Sequence, residues 1–188
     1  MWTFPERLEG RFVRLEPLSL AHAPLFLERY LEEVYRYMTH RPEPNLQGME
    51  RHLKALLEEP GRVNWLIRLG EEAAGRISVI GPAPEHARLE IGTLLFKPYW
   101  GGPANLEAKL LLLTHAFEVL SAERVQFKVD ARNLRSQKAL EKIGAVREGV
   151  LRRHRRVGDE WRDDVFYSIL KEEWPAVRER IWARLKAF

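Results

Sequence analysis

Two short stretches carry side chains and backbone whose spacing could do chemistry. In Asp130–Gly144, DARNLRSQKALEKIG, the residues Asn133, Ser136 and Leu140 fall at i, i+3 and i+7. In a helix that opens at Asn133 they lie near one face. Asn133 stands where a strand ends and a helix begins, so its side chain is free to cap or to bind. Ser136, one turn in, carries a hydroxyl that could give a proton to a leaving group. The plainer alternative is a helix cap beside a surface serine. The second stretch is Phe96–Phe117, FKPYWGGPANLEAKLLLLTHAF. Its Pro98, Gly101, Gly102 and Pro103 form a tight turn between an apolar run and a helix with Leu110, Leu113, Phe117 and Leu120 at helical spacing. The first turn of a helix has amide N–H groups without intrahelical partners and partial positive charge, and glycines let a ligand come close. A phosphate could sit there. Pro and Gly before a helix are also ordinary punctuation.

These segments need a frame. Alternation and turn residues predict strands over Gly10–Pro17, Val63–Leu69, Ala74–Ile80, Arg88–Phe96, Arg124–Asp130, Val146–Val157 and Glu160–Leu170. Helices are expected over Ala21–Tyr30, Glu33–Tyr37, Met49–Glu58 with Asn45 as cap, from the glycine turn to about Leu120, over Asn133–Ile143 with Gly144 as its stop, and over Lys171–Leu185. The order is strand, helices, a strand meander, βαβα, a hairpin and a helix. It implies an α+β domain spanning residues 1–188, with a mixed, mostly antiparallel twisted sheet of about seven strands.

The bulk properties narrow the classes. The 188 residues suffice for one well-buried domain, and 45% hydrophobic with 31% charged residues describes a globular chain. There is no cysteine, which excludes disulfides, thiolate metal sites and a cysteine nucleophile. The six histidines show no metal spacing, so no metal is expected. No apolar run reaches the roughly 18 residues that span a membrane, and MWTFPERLEG is no signal peptide; a cytoplasmic location without membrane contact is expected. The net charge of +4 suits an anionic ligand but does not argue for nucleic acid. The 23 arginines against 8 lysines and the absence of cysteine are a thermophile-like composition.

Together, the strand, glycine turn, helix and strand followed by Asn-x-x-Ser-x-x-x-Leu-Glu-Lys-x-Gly resemble the GNAT superfamily of acetyl-CoA-dependent N-acetyltransferases. The branch that includes the bacterial ribosomal-protein N-terminal acetyltransferases is the most similar. The resemblance rests on Glu90-Ile91-Gly92, Trp100-Gly101-Gly102, Asn105-x-Glu107-Ala108, Asn133-x-x-Ser136, Leu140-Glu141-Lys142-x-Gly144, and the late hairpin Gly149-x-Leu151-Arg152 with Trp161-Arg162-Asp163. It implies acetyl-CoA in an opening between the strands Arg88–Phe96 and Arg124–Asp130, its pantetheine arm on the backbone of Leu94 and Phe96. The pyrophosphate would sit on Trp100, Gly101, Gly102, Ala104 and Asn105, with Asn133, Ser136 and Lys138 also at the cofactor. Pro103 stands where the family pattern has a glycine and removes one amide donor, although proline suits the first helical position.

The implied chemistry is direct attack by a primary amine, a protein N-terminus or a small molecule, in a ternary complex. Ser136 is the candidate acid, Glu90 the candidate base and Asn133 its helper at the cofactor arm. The N–H of Leu95 or Phe96 is the candidate oxyanion donor. Arginines near Glu90 favour a relay through water. The alternative for Glu90 is an exposed strand carboxylate paired with Arg88 or Arg76. Tyr35, Tyr37, Met38 and His40 are acceptor-pocket candidates. The run Arg152–Arg156 either contacts an acidic acceptor, RNA or the CoA phosphate, or pairs with Asp159, Glu160, Asp163 and Asp164 across the hairpin. Two other classes stand beside the enzyme: a non-catalytic acyl-CoA-binding or regulatory module, and an RNA-binding protein. The latter would interleave aromatic residues in the basic run, and this run has none. A homodimer is compatible with the family.

Overall fold

The computed structural model describes all 188 residues. In chain order the elements are β1 (Leu8–Glu9), β2 (Val13–Pro17), α1 (Ala23–Glu28), α2 (Glu32–Tyr35), α3 (Leu46–Glu58), β3 (Val63–Leu69), β4 (Glu72–Ala83), β5 (Arg88–Leu95), α4 (Pro103–Thr114), β6 (Arg124–Asp130), α5 (Leu134–Lys142), β7 (Val146–Val157), β8 (Glu160–Leu170) and α6 (Trp174–Leu185). The sheet has eight strands in the order β1-β2-β3-β4-β5-β6-β8-β7, and only the β5–β6 pair is parallel. The expected α+β class holds. The eighth strand is β1, which pairs Leu8 with Leu15 of β2.

The predicted first strand began too early, for a physical reason. Gly10 N–H closes a turn onto Val13 O, and the carboxylate of Glu107 on α4 accepts the N–H groups of Phe12 and Val13 at 2.6 and 2.8 Å. A Cβ on Gly10 would stand 2.2 Å from Glu107 Oε1, so only glycine lets the carboxylate reach the backbone. Glu107, a member of the Asn105-x-Glu107-Ala108 motif, thereby stitches α4 to β2.

Helices cover both faces of the sheet. Successive strand residues face opposite ways. Asn64 of β3 donates to the carbonyl of Leu56 on α3, while its neighbour Trp65 packs on Phe4, which in turn packs on His115 just past α4. So α1 and α3 lie on one side, and α4 with α6 on the other. Asn45 caps α3 by accepting from Gly48 N–H at 2.7 Å, and Gly144 ends α5 with φ of +94°, as the sequence predicts. After Thr114, α4 widens into a π turn, His115–Val119, which seats Phe117 flat against Trp174 of α6. Trp65 and Trp174 are core residues, whereas Trp161 is exposed.

One expectation fails in β7. Strict alternation would send Arg152, His154 and Arg156 to one face and Arg153 and Arg155 to the other. The ladder slips between Leu151 and Arg155, with Arg153 at φ +48°. His154 and Arg155 both reach Asp164 across this bulge, at 2.7 and 2.8 Å.

Glu107→Ala leaves two backbone donors without an acceptor. Chemical denaturation should show a loss of about 2–4 kcal/mol. Glu107→Gln, which keeps an accepting oxygen, should lose clearly less.

Candidate active site

The parallel pairing of β5 with β6 stops early. Arg88, Leu89 and Glu90 pair with Arg124, Val125 and Gln126, and no pairing follows. Beyond this point β5 remains bonded to β4 as far as Leu95, and β6 remains bonded to β8 as far as Asp130. Between them opens a cleft of about 440 Å³. Ile91–Leu95 form one wall and Phe127–Asp130 the other; Trp100, Asn105, Lys109, Asn133 and Ser136 close it on the helix side.

Asn133 and Ser136 come together as the sequence predicts. Asn133 Oδ1 accepts the Ser136 N–H at 3.2 Å, and its Nδ2 donates to Ser136 Oγ at 3.0 Å. Capping is therefore real. It also occupies an acceptor site on Oγ and leaves the hydroxyl proton free to be donated into the cleft.

The glycine loop leaves backbone amides uncapped at its helix end. Pro103 is the first residue of α4 and Gly102 its N-cap, with no side chain capping the helix. The first-turn amides of Ala104 and Asn105 thus have no protein acceptor. Gly101 adopts φ +77° with open space where a Cβ would stand. The Gly102 N–H already bonds to Tyr99 O at 3.3 Å. Gly101, Gly102 and Ala104 are outside the cleft lining, while Trp100 and Asn105 line it.

The backbone of β5 corrects one assignment. Phe96 N–H is bonded to Ala74 O in β4 at 2.8 Å, and the Phe96 carbonyl accepts from Tyr99 N–H. The Phe96 ring is buried edge-on against Phe26. Phe96 is thus unavailable to a cofactor arm or an oxyanion. Backbone direction alternates along a strand, so the groups of Leu94 also turn to β4; a Cβ on Gly75 of β4 would stand 2.1 Å from Leu94 O. Leu95 faces the cleft, where its carbonyl accepts Trp100 Nε1 at 2.8 Å. Leu94 contributes its side chain to the wall.

Three basic residues of α4 and α5 differ in how they meet the cleft. Lys138 is exposed on α5 and is not part of the lining. Arg135, one turn earlier, is: its guanidinium lies 3.6 Å from the centre of the Trp100 ring. Lys109 is buried, with Nζ donating to Asn105 Oδ1 at 2.6 Å. Burial, helped by the charge of Arg135, pushes its ammonium down to about 8. Sequence reasoning missed both Arg135 and Lys109. Lys109 stands four residues after Asn105 within an apolar run, and that isolated charge was the available signal.

A second cavity of about 470 Å³ lies on the α3 side. It shares Met38, Gly92, Thr93, Lys128 and Arg162 with the cleft, so the two meet at Gly92 and Thr93. Glu90 lines the second cavity only. It is buried, not exposed, and its partners are neither Arg88 nor Arg76: Gln126 Nε2 donates to it at 2.8 Å and Lys128 Nζ lies 3.4 Å away. Among the acceptor-wall candidates, Tyr37 faces the cleft, His40 faces the second cavity and Met38 faces both. Tyr35 is packed in the core against Tyr30 and His52.

Asp164 organises the charges on this wall. It is fully buried and accepts from Arg162 Nε at 2.6 Å as well as from His154 and Arg155. Arg162 also donates to the carbonyl of Tyr37, which fixes the segment after α2 over the site. Part of the basic run is thus held by carboxylates: His154 and Arg155 meet Asp164, Arg156 lies 3.9 Å from Asp159, and the main-chain N–H of Arg153 donates to Asp163.

Known proteins are similar to this chain in sequence and fold. The model of the Acetyltransferase (GNAT) domain matches residues 13–146. The chain belongs to the GNAT acetyltransferase family. A solved structure from T. thermophilus, assigned as an acetyltransferase, is 66% identical, covers 98% of this chain and 100% of its own, and superposes with a TM-score of 0.96. The uncharacterised N-acetyltransferase p20 of Bacillus licheniformis is 24% identical over 175 residues, 90% of this chain and 98% of that one. YdaF of Bacillus subtilis (strain 168), assigned as a ribosomal N-acetyltransferase, is 34% identical over 100 residues, 53% of this chain and 55% of that one. This GNAT chain is an acetyltransferase, and acetyl-CoA is the donor its family uses. No helix is long and apolar enough to cross a membrane.

Burial alone would raise the Asp164 carboxyl, but hydrogen bonds from Arg155 and His154 and the Arg162 charge outweigh it and hold it down at about 2. Its folded value lies below the ordinary one, so the ionised form stabilises the fold. That contribution is complete above about pH 4 and lost as pH falls toward 2; it amounts to about 2 kcal/mol. Asp164→Asn should remove this acid limb from thermal denaturation curves. It should also lower stability at neutral pH by about 3–5 kcal/mol, because the guanidinium groups of Arg155 and Arg162 lose their buried counter-charge.

Proposed function

We propose that the chain transfers the acetyl group of acetyl-CoA to a primary amine by direct attack in a ternary complex, with the donor in the cleft and the amine in the second cavity. The observation that supports this is the division of groups about the junction at Gly92 and Thr93. Glu90 lines the second cavity alone, and Ser136 lines the cleft alone. A proton acceptor and a proton donor thus stand on opposite sides of the point where an amine would meet a thioester.

The cleft fits acetyl-CoA chemically. The uncapped amides of Ala104 and Asn105 and the open space at Gly101 suit a pyrophosphate. Lys109 and Arg135 add positive charge beside them, and a bound phosphate would restore the charge that burial disfavours on Lys109. The cofactor supplies an activated acetyl group on sulfur. Leu95, the β5 residue whose backbone turns to the cleft beside the junction, offers its N–H to the developing oxyanion. Glu90 takes the amine proton through water, with Gln126 and Lys128 holding its carboxylate in place. Ser136 returns a proton to the departing sulfur, its Oγ held by Asn133. Orientation in the closed passage supplies much of the acceleration.

Thiol release should be followed with acetyl-CoA and a panel of amines and peptides. Ser136→Ala should lower kcat about 10²-fold with acetyl-CoA affinity nearly unchanged. An unchanged kcat would remove Ser136 from the reaction. Glu90→Gln should lower kcat/KM by a similar factor. An unchanged kcat/KM would exclude Glu90 as the base.

A further inference from the structure

Arg76 on β4 is the cation in the second cavity that no carboxylate satisfies. It is 2% exposed, its Nε has no hydrogen-bond partner, and no carboxylate lies within ion-pair distance. The other arginines and the lysine on the same wall are paired. Arg62 lies 3.1 Å from Glu59 and Lys128 lies 3.4 Å from Glu90. Arg155 and Arg162 share Asp164, and Arg156 faces Asp159. Two neutral donors near Arg76 are orphaned as well. His52 Nε2 and the Tyr35 hydroxyl are buried without partners, their rings edge-on at 6.0 Å. Burial, then the Arg76 charge, pushes His52 down to about 3, so it cannot compete as a second cation.

An uncompensated buried guanidinium is among the least favourable arrangements a fold can keep, and each such orphan calls for an explanation. A planar anion that accepts two parallel N–H bonds satisfies it best. Arg76 pairs in register with Leu94 of β5. The junction residues Thr93 and Gly92 stand one and two positions from Leu94, roughly 3–7 Å along the strand.

We infer that the acceptor is a small amine carrying a carboxylate, an amino acid or a close relative, whose carboxylate is held by Arg76 while its amine reaches the junction beside Gly92 and Thr93. The inference rests on the acetyl-transfer reading above and names its substrate class. An amino acid carries both groups on one molecule, and Arg76, Gly92 and Thr93 line one and the same cavity of about 470 Å³. The reaction exchanges one N–H bond of the amine for an N–acetyl bond and the thioester for a thiol, with the proton leaving through Glu90.

The test compares free amino carboxylates, their methyl esters and acidic-N-terminal peptides as acceptors in the thiol-release assay. Wild type should prefer acids over esters by about 10²-fold in kcat/KM, and Arg76→Met should reduce that preference to within about threefold. Methionine matches the volume without a buried charge, so the variant should melt at or above the wild-type temperature in the absence of ligand. A fall in melting temperature would mark Arg76 as structural and overturn the inference. Equal wild-type rates on acids and esters, or a preference for the peptides over free amino acids, would also overturn it. A second readout is independent of turnover: amino carboxylates, but not their esters, should raise the wild-type melting temperature and leave Arg76→Met unmoved. If no amine is acetylated, the acetyl-transfer reading fails, and the melting shifts alone decide the anion site.

Discussion

The site depends on two strands that begin a parallel ladder and then part. β5 and β6 share three residue pairs. Each is already committed elsewhere: β5 to β4 along its length, β6 to β8 as far as Asp130. Backbone polar groups inside a fold seek partners, so the divergence leaves groups on the β5 edge for something other than a strand. Phe96 shows how closely this edge is controlled. Its N–H is returned to Ala74, and the cleft-facing position falls to Leu95. The same divergence joins the cavities on the two faces of the sheet, and on the proposed reading two substrates meet there from opposite sides.

Electrostatics adds a second constraint. Arginines and a lysine crowd the second cavity, but pairing leaves little free charge. The buried Asp164 binds three of its neighbours, and the bulge in β7 exists in a form that lets His154 and Arg155 both reach it. Holding Arg162 in turn holds the backbone at Tyr37 over the passage. What the wall offers a ligand is therefore Arg76, a single buried guanidinium.

The sequence carried the order of elements, the strand β6, the Asn45 and Gly144 boundaries and the Asn133–Ser136 pair, because these follow from local alternation and capping. It did not carry backbone direction along β5. Nothing in FKPYWGG says whether Leu94 or Leu95 faces the gap, since that parity is set by pairing with β4. The bulge in β7 was hidden for the same reason. Lys138 and Arg135 lie three residues apart on one helix, and only packing against Trp100 selects Arg135 for the cleft. Arg76 and Lys109 left a weak trace, each a lone charge in an apolar run. Such a charge reads equally well as a surface position until burial is known.

Pro103 and Lys109 are best understood as a pair. Proline at the first helical position costs α4 nothing, because that N–H has no partner within the helix. It does remove one donor from the end of the helix that faces the cleft, and the Gly102 N–H is spent on Tyr99. A cradle of few amides holds a dianionic pyrophosphate weakly unless full charges assist. Lys109 stands nearly two turns inside the same helix, with a single hydrogen bond, to Asn105, and a buried ammonium short of counter-charge. Arg135 meets it from α5 across the Trp100 ring. On the proposed reading, the departure from the glycine pattern shifts the work of anion binding from backbone dipoles toward two cations.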